Sequence, residues 1–174
     1  GESATTVTAP DVVIPHGQSV VIKGTVLDQS PAQPGTPCVS PGSMGAWMEH
    51  LNMQKPIPAN VVGVPVSLDT VDPNGNFVHI GDVTTDGYSG TFGFTWEPDV
   101  PGQYKVTATF KGDVSYGGSF ATTYVTVSEA PAATATPEPT QVVDNTGSLY
   151  GIMAGVVAAI IIGIVAILLV LRKR

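Results

Sequence analysis

A single cysteine, Cys38, stands among 174 residues, so no disulfide can form within the chain and any fold must be held by its apolar core. Charge is scarce as well, with Asp, Glu, Lys and Arg together only 12% of the residues. Of the seven basic residues three are the terminal Arg172, Lys173 and Arg174; residues 1–147 hold only Lys23, Lys55, Lys105 and Lys111. All fourteen acids lie in 1–147, so four bases against fourteen acids leave that part at −10 and the tail at +3. A surface so poor in cations excludes nucleic acid as a partner, because that binding rests on neutralising phosphates. It suits a well-solvated surface protein, a saline habitat or loose cation binding. With three histidines, His16, His50 and His79, no Ser/His/Asp or Cys/His arrangement, paired acid or phosphate loop can be assembled, and no catalytic residue is expected. The run from Gly81 to Gly87 lacks the strand-then-helix context of a nucleotide motif. No N-x-S/T sequon occurs, and no repeat of about 40 residues marks propeller blades.

What is present is concentrated at the C-terminus. From Leu149 to Leu171 run twenty-three residues without a charge. At about 1.5 Å per residue they reach roughly 34 Å as a helix, enough to cross a hydrocarbon layer of about 30 Å. Only a helix satisfies the backbone of one segment in lipid. Basic residues stay on the cytoplasmic side, so the topology residues Arg172, Lys173 and Arg174 place the C-terminus inside and the acidic bulk outside the cell. The chain begins at Gly1 without a signal sequence, and outside placement implies either a cleaved signal or a longer parent chain.

Composition divides the chain into residues 1–128, a Pro/Thr/Ala-rich linker at 129–147, a transmembrane helix at 148–171 and a basic tail at 172–174. The linker lacks the apolar surface to fold, and its prolines favour extended conformations of about 3.1 Å per residue. Thr134, Thr136 and Thr140 are candidates for O-linked sugar.

Residues 1–128 read as strands. Tyr104, Val106, Ala108 and Phe110 alternate with Lys105, Thr107, Thr109 and Lys111, the period of a sheet with one wet face. Phe92, Phe94 and Trp96 repeat the pattern, as do Val62, Val64, Val66 and Leu68, where Pro65 marks an edge or a bulge. Further strands are expected in 18–28, 77–83 and 120–128, with a broken one near the N-terminus, and Asp72-Pro-Asn-Gly-Asn76 reads as a turn. Seven short strands are a β-sandwich count. Residues 29–60 interrupt them as an insertion in which Met44, Trp47, Met48 and Leu51 form one helical stripe, with Ser43 placed to cap the helix and Pro56 to stop it.

The stretch Gly102-Gln-Tyr-Lys-Val-Thr-Ala-Thr-Phe-Lys-Gly-Asp113, then Tyr116 and SFATTYVTV, resembles the last two strands of prokaryotic Ig-like domains. The longer combination from DQSPAQPGTPCVS through MGAWMEHLNMQKPIPANVVGVPVSLDTVDPNGN to GDVTTDGYSGTFGFTWEPDVPGQY is similar to a module at the C-terminus of archaeal membrane-anchored surface proteins, many with a PQQ-like β-propeller ahead of it. There, too, a Pro/Thr linker, one span and a basic tail follow. The resemblance implies the stalk and anchor of a larger protein or of a reduced relative, with no catalytic residue to carry over.

Candidate sites are few. Gly147, Gly151, Gly155, Ala159 and Gly163 recur every four residues, a spacing that lets membrane helices approach closely and pack; the alternative is a monomeric span rich in small residues. Asp72-Pro-Asn74-Gly-Asn76 opens like a calcium loop, but Phe77 and Val83 stand where Gly and Glu are needed. Calcium held by Asp69, Asp82, Asp86 and Asp113 stays open as the one cofactor alternative to none. Cys38, Met44, Met48, His50 and Met53 suggest soft-metal ligands, though Met44 and Met48 share the stripe of Trp47. Cys38 reads as a buried or half-buried thiol, with a bridge between chains as the alternative. Tyr104 is placed to act as a corner tyrosine.

The sequence thus predicts an all-β Ig-like sandwich with a short helical insertion, a linker and one transmembrane helix. The expected core is Val20, Ile22, Val64, Val66, Leu68, Phe92, Phe94, Trp96, Val106, Ala108, Phe110, Val125 and Val127. The expected role is non-catalytic: anchoring and spacing an extracellular assembly at the membrane, with a protein partner or self-association at the surface. The alternatives are an adhesin or self-assembling surface-layer or filament component, which needs an exposed aromatic patch where most aromatics here read as inward, and an accessory subunit of a surface redox or hydrolytic enzyme.

Overall fold

The computed structural model describes residues 1–130 and 144–173. The linker's middle, with Thr134, Thr136 and Thr140, and the terminal Arg174 lie outside the described residues. The chain divides into two units, Gly1–Ala132 and Ala133–Arg174.

The first unit is mostly β, in two sheets. One runs β1 (Ser3–Thr8), β3 (Val20–Asp28), β6 (Thr91–Trp96). The other runs β2 (Ile14–Pro15), β8 (Ser119–Ser128), β7 (Gly102–Phe110), β4 (Val62–Val71), β5 (Phe77–Asp86). All pairs are antiparallel except β2, which lies parallel to β8 through Ile14 and Val127. The inward residues of both sheets form one buried cluster, in which Ile22, Leu68 and Phe110 are among the largest fully enclosed side chains. Burying each of these contributes roughly 1.5–3 kcal/mol.

Eleven of the thirteen expected core residues are buried; Phe94 and Trp96 are half-buried against the cluster's margin. The cluster also takes in Val7, Val26, Cys38, Tyr104 and Tyr116. Val62, expected to share the inward face of Val64, is exposed, because the β4–β5 register shifts between Val62 and Pro65. Pro65 therefore sits at a bulge of an inner strand and not on an edge, the other position where a missing N–H is tolerated.

Between β3 and β4 lies α1 (Pro41–Met53). Its stripe packs as a second small cluster in which Trp47, Val39 and Val61 are buried beneath Met44 and Leu51. Ser43 is not its cap: proline at the helix start pre-sets the first turn, Ser40 holds the N-cap position, and Ser43 Oγ instead accepts from Val62 N–H at 3.0 Å. Pro56 does not end it either; Gln54 turns left-handed at φ 53°, two residues earlier.

The strand pairings place Gly1, the α1 connection, the β5–β6 turn and the β7–β8 loop at one end of the unit. The Asp72–Asn76 turn, the β6–β7 connection and Ser128 lie at the other. At that second end Tyr104 is a corner tyrosine. Its hydroxyl donates to Val100 C=O at 2.8 Å and accepts from Val100 N–H at 2.9 Å, while its ring meets Trp96 edge-on at 5.0 Å. Tyr104→Phe leaves both Val100 groups unpaired and is expected to lower stability by about 1–3 kcal/mol, read from the urea midpoint of the full chain in detergent. An unchanged midpoint would remove Tyr104 from the set of structural anchors.

Candidate functional site

The second unit contains α2 (Thr146–Arg172), 27 residues and at about 1.5 Å each roughly 40 Å long. It begins inside the expected linker, taking in Thr146 and Gly147, because Asp144 accepts from Thr146 N–H at 2.9 Å just ahead of the first turn. The Thr146 hydroxyl, and then that N–H, hold the Asp144 carboxyl below its ordinary value. The helix is long and apolar enough to cross a membrane, and none of its residues is buried within the chain. All of Gly147, Gly151, Gly155, Ala159 and Gly163 fall within it, and nothing lies within 4 Å of a Cβ placed on any of its glycines. Residues four apart advance about 400° in rotation, so these five trace an inclined row. Arg172 closes the helix and Lys173 caps it through its N–H to Val170 C=O at 3.3 Å.

Among the described residues no group of three or more His, Cys, Asp or Glu is placed to share a metal ion. The loop acids serve their own turns. Asp72 accepts from the Asn76 side-chain amide and then from the backbone N–H groups of Asn76 and Asn74, which hold its carboxyl low. Asp86 does the same with Ser89 and Tyr88. Asp113 Oδ1 accepts from Ser115 and Tyr116, while its Oδ2 is buried without a partner. The soft-ligand candidates separate too: Cys38 is fully buried, Met53 is exposed, and His50 Nδ1 bonds Lys55 C=O at 2.7 Å beside the Trp47 ring.

His79, which stands alone in the sequence pattern, has two carboxylate neighbours in the structure. Asp69 lies across from it on β4, 2.8 Å from Nδ1, and Asp82 lies 3.6 Å from Nε2 after the register shift at Leu68. Ser67 Oγ also approaches, at 3.5 Å, but toward the same Nδ1 that Asp69 holds. A nucleophilic triad needs its hydroxyl and its carboxylate on opposite ring nitrogens, so this trio is not one.

These groups belong to the outward face of the five-stranded sheet. Registers place Tyr124, Lys105, Val71 and Phe77 in one row across β8, β7, β4 and β5. Thr122, Thr107, Asp69 and His79 form the next row, and Phe120, Thr109, Ser67 and Asp82 the third. Most aromatics of the first unit do face inward, but Phe120 is 72% exposed, Phe77 70% and Tyr124 57%, so these three point away from the core. The signal was the parity of β8: pairing Tyr124 with Lys105 sends Val125 and Val127 inward and the two aromatics out.

Near the Gly1 end, Asp28, Cys38 and Tyr116 are buried together. Burial raises the Asp28 carboxyl, but donors from Ser30 and Gln33 outweigh it and hold the group below its ordinary value. Burial, and then the charges of Asp28 and Asp113, push the Cys38 thiol up to about 12. Burial also pushes the Tyr116 phenol up to about 12, although Val39 N–H donates to it.

No protein-family model matches the chain, and a comparison with curated proteins finds no match. Among solved structures it is similar to the CARDB domain of the PF1109 protein from Pyrococcus furiosus, described in complex with di-metal ions. That likeness has 15% identity and a TM-score of 0.39, and covers 74% of this chain and 93% of that one. It is also similar to Spo0M, a sporulation control protein from Bacillus subtilis, at 12% identity and a TM-score of 0.38, over 74% of this chain and 50% of that one. Both likenesses are too slight to bear on function.

The raised thiol and phenol set a pH dependence. Their folded values lie above those of the unfolded chain, so above about pH 9 the unfolded state sheds protons that the folded state keeps. Stability is then expected to fall with rising pH, by at most about 1.4 kcal/mol per pH unit per group. The urea midpoint should drop between pH 9 and 11, and Cys38 should react with an aromatic disulfide reagent only on unfolding. Rapid reaction at pH 8 in the folded chain would overturn the assignment.

Proposed function

We propose that this chain is a non-catalytic, membrane-anchored surface module. Residues 1–128 form an Ig-like sandwich outside the cell, α2 crosses the membrane, and the basic tail stays in the cytoplasm. The observation that carries this reading is α2. Its most apolar stretch has a mean hydropathy of 3.2, and none of it is buried within the chain. Apolar surface on that scale is stable only where lipid or protein covers it. The orientation rests on the +3 tail against the −10 remainder. The Ig-like reading is supported by strand order: β1, β3 and β6 correspond to strands A, B and E, and β4, β7 and β8 to C, F and G. The archaeal-type setting, and the role of anchoring and spacing an assembly, rest on the sequence resemblance alone.

A second reading, adhesion or self-assembly at the surface, is favoured by the outward Phe77, Phe120 and Tyr124. It adds a binding face to the anchored module and does not replace the anchor.

The test is topological. The full chain, exported behind a cleavable signal, is treated in intact cells with a membrane-impermeant amine reagent. Labelling of Lys23, Lys55, Lys105 and Lys111 without Lys173, together with release of the protein into the medium when residues 144–174 are deleted, is the expected result. Labelling of Lys173 in intact cells, or recovery of the full chain in the soluble fraction, would overturn the reading.

A further inference from the structure

The outward face of the five-stranded sheet carries features that an anchored spacer does not need. Two of the four lysines in residues 1–147 lie on or beside it, Lys105 on β7 and Lys111 just past its end. Among the described residues neither makes an ion pair. On the neighbouring strands the same face holds Asp69 and Asp82, flanking His79. Aromatic and apolar side chains bracket these charges, Phe120 and Tyr124 on β8, Phe77 and Val71 on β5 and β4. Elsewhere the surface is acidic, so two copies repel one another there, whereas on this face Lys105 and Lys111 stand among Asp69, Asp82 and, at the end of β5, Asp86.

We infer that this face binds the same face of a second copy. A purely acidic partner would meet Asp69 and Asp82, and a purely apolar one would desolvate both lysines unpaired. A copy of the face itself offers carboxylates for the lysines and a ring each for Tyr124 and Phe77. Geometry permits the match. A two-fold axis parallel to the strands, between β7 and β4, lays β8 over the partner's β5 and β7 over the partner's β4. Tyr124 then meets the partner's Phe77, and Lys105 lies one step along the strand from the partner's Asp69. Four strands about 4.8 Å apart, of nine or ten residues at about 3.4 Å each, give a face on the order of 600 Å² in projection. That approaches the roughly 800 Å² each partner buries in a standard interface.

The axis has a further property. Because it runs along the strands, both copies leave their β8 strands at the same end, Ser128, as two chains anchored in one membrane must. This last point rests on the anchoring reading; the charge match does not.

The test measures the mass of the full chain in detergent micelles by sedimentation equilibrium, over a hundredfold range of concentration. Wild type is expected to form dimers. Lys105→Asp and Asp69→Lys should each weaken the dimer tenfold or more by setting like charges across the axis, and the double variant should restore it. Phe120→Asp alters a side chain already in solvent and should weaken the dimer without lowering the urea midpoint, which keeps the test decisive if Asp69→Lys disturbs folding. A monomer at every concentration leaves the face to some other partner and overturns the proposal. So does a dimer that ignores the sheet variants but is lost when Gly155 and Ala159 become Ile, since that dimer is held by α2. Flotation of the same samples with phospholipid vesicles reports the anchor separately, so failure of one reading is distinguishable from failure of the other.

Discussion

Strand β7 lies between β8 and β4, and the alternation of its side chains is the constraint on which the first unit depends. Tyr104, Val106, Ala108 and Phe110 go into the core, and with no disulfide available they must do so without a slip. A shift of one residue would exchange them for Lys105, Thr107 and Thr109. Pairing on both sides passes this parity outward. It fixes Val125 and Val127 on β8 and Leu68 on β4 as inward, and so makes Tyr124, Phe120 and Asp69 outward. Core and outer face are therefore set by one registration.

That dependence explains what could be read from the chain and what could not. Period-two patterns with bulky residues on one parity, as in β7 and β4, declare their buried side in isolation. β8 does not, because Phe120 and Tyr124 stand on one parity and Ala121, Val125 and Val127 on the other, and only the partner strand decides between them. The grouping of His79 with Asp69 and Asp82 was equally hidden. It depends on register shifts along β4 and β5, one of them at Leu68, and a bulge leaves only a weak trace in composition. The start of α1 was legible in principle, since Ser40-Pro41 is an N-cap followed by a first-turn proline; Ser43 drew attention only because it precedes the apolar stripe. The apolar helix needed no tertiary information, because a charge-free run of its length has few other uses.

The two units dispose their apolar side chains in different ways. In the first, water drives Phe110, Ile22 and Leu68 together between the sheets and leaves the acids outside. In the second, apolar side chains are spread around α2 and none of them is buried within the chain. Asp28, at the Gly1 end, is the buried exception among the acids, and Ser30 and Gln33 donate to it.

The placement of the two ends of the first unit has a mechanical consequence. Gly1 and Ser128 lie at opposite ends of the strands, and β8 leaves the sheet along its own axis with nine residue pairs to β7 and a short parallel contact to β2. A pull between those ends acts along the hydrogen-bonded ladders, so the strands must slide past one another and many bonds must break together. Pulling across the ladders would open them one at a time. The same topology that brings Tyr104 back to Val100 at the Ser128 end also makes the unit stiff along the line of load.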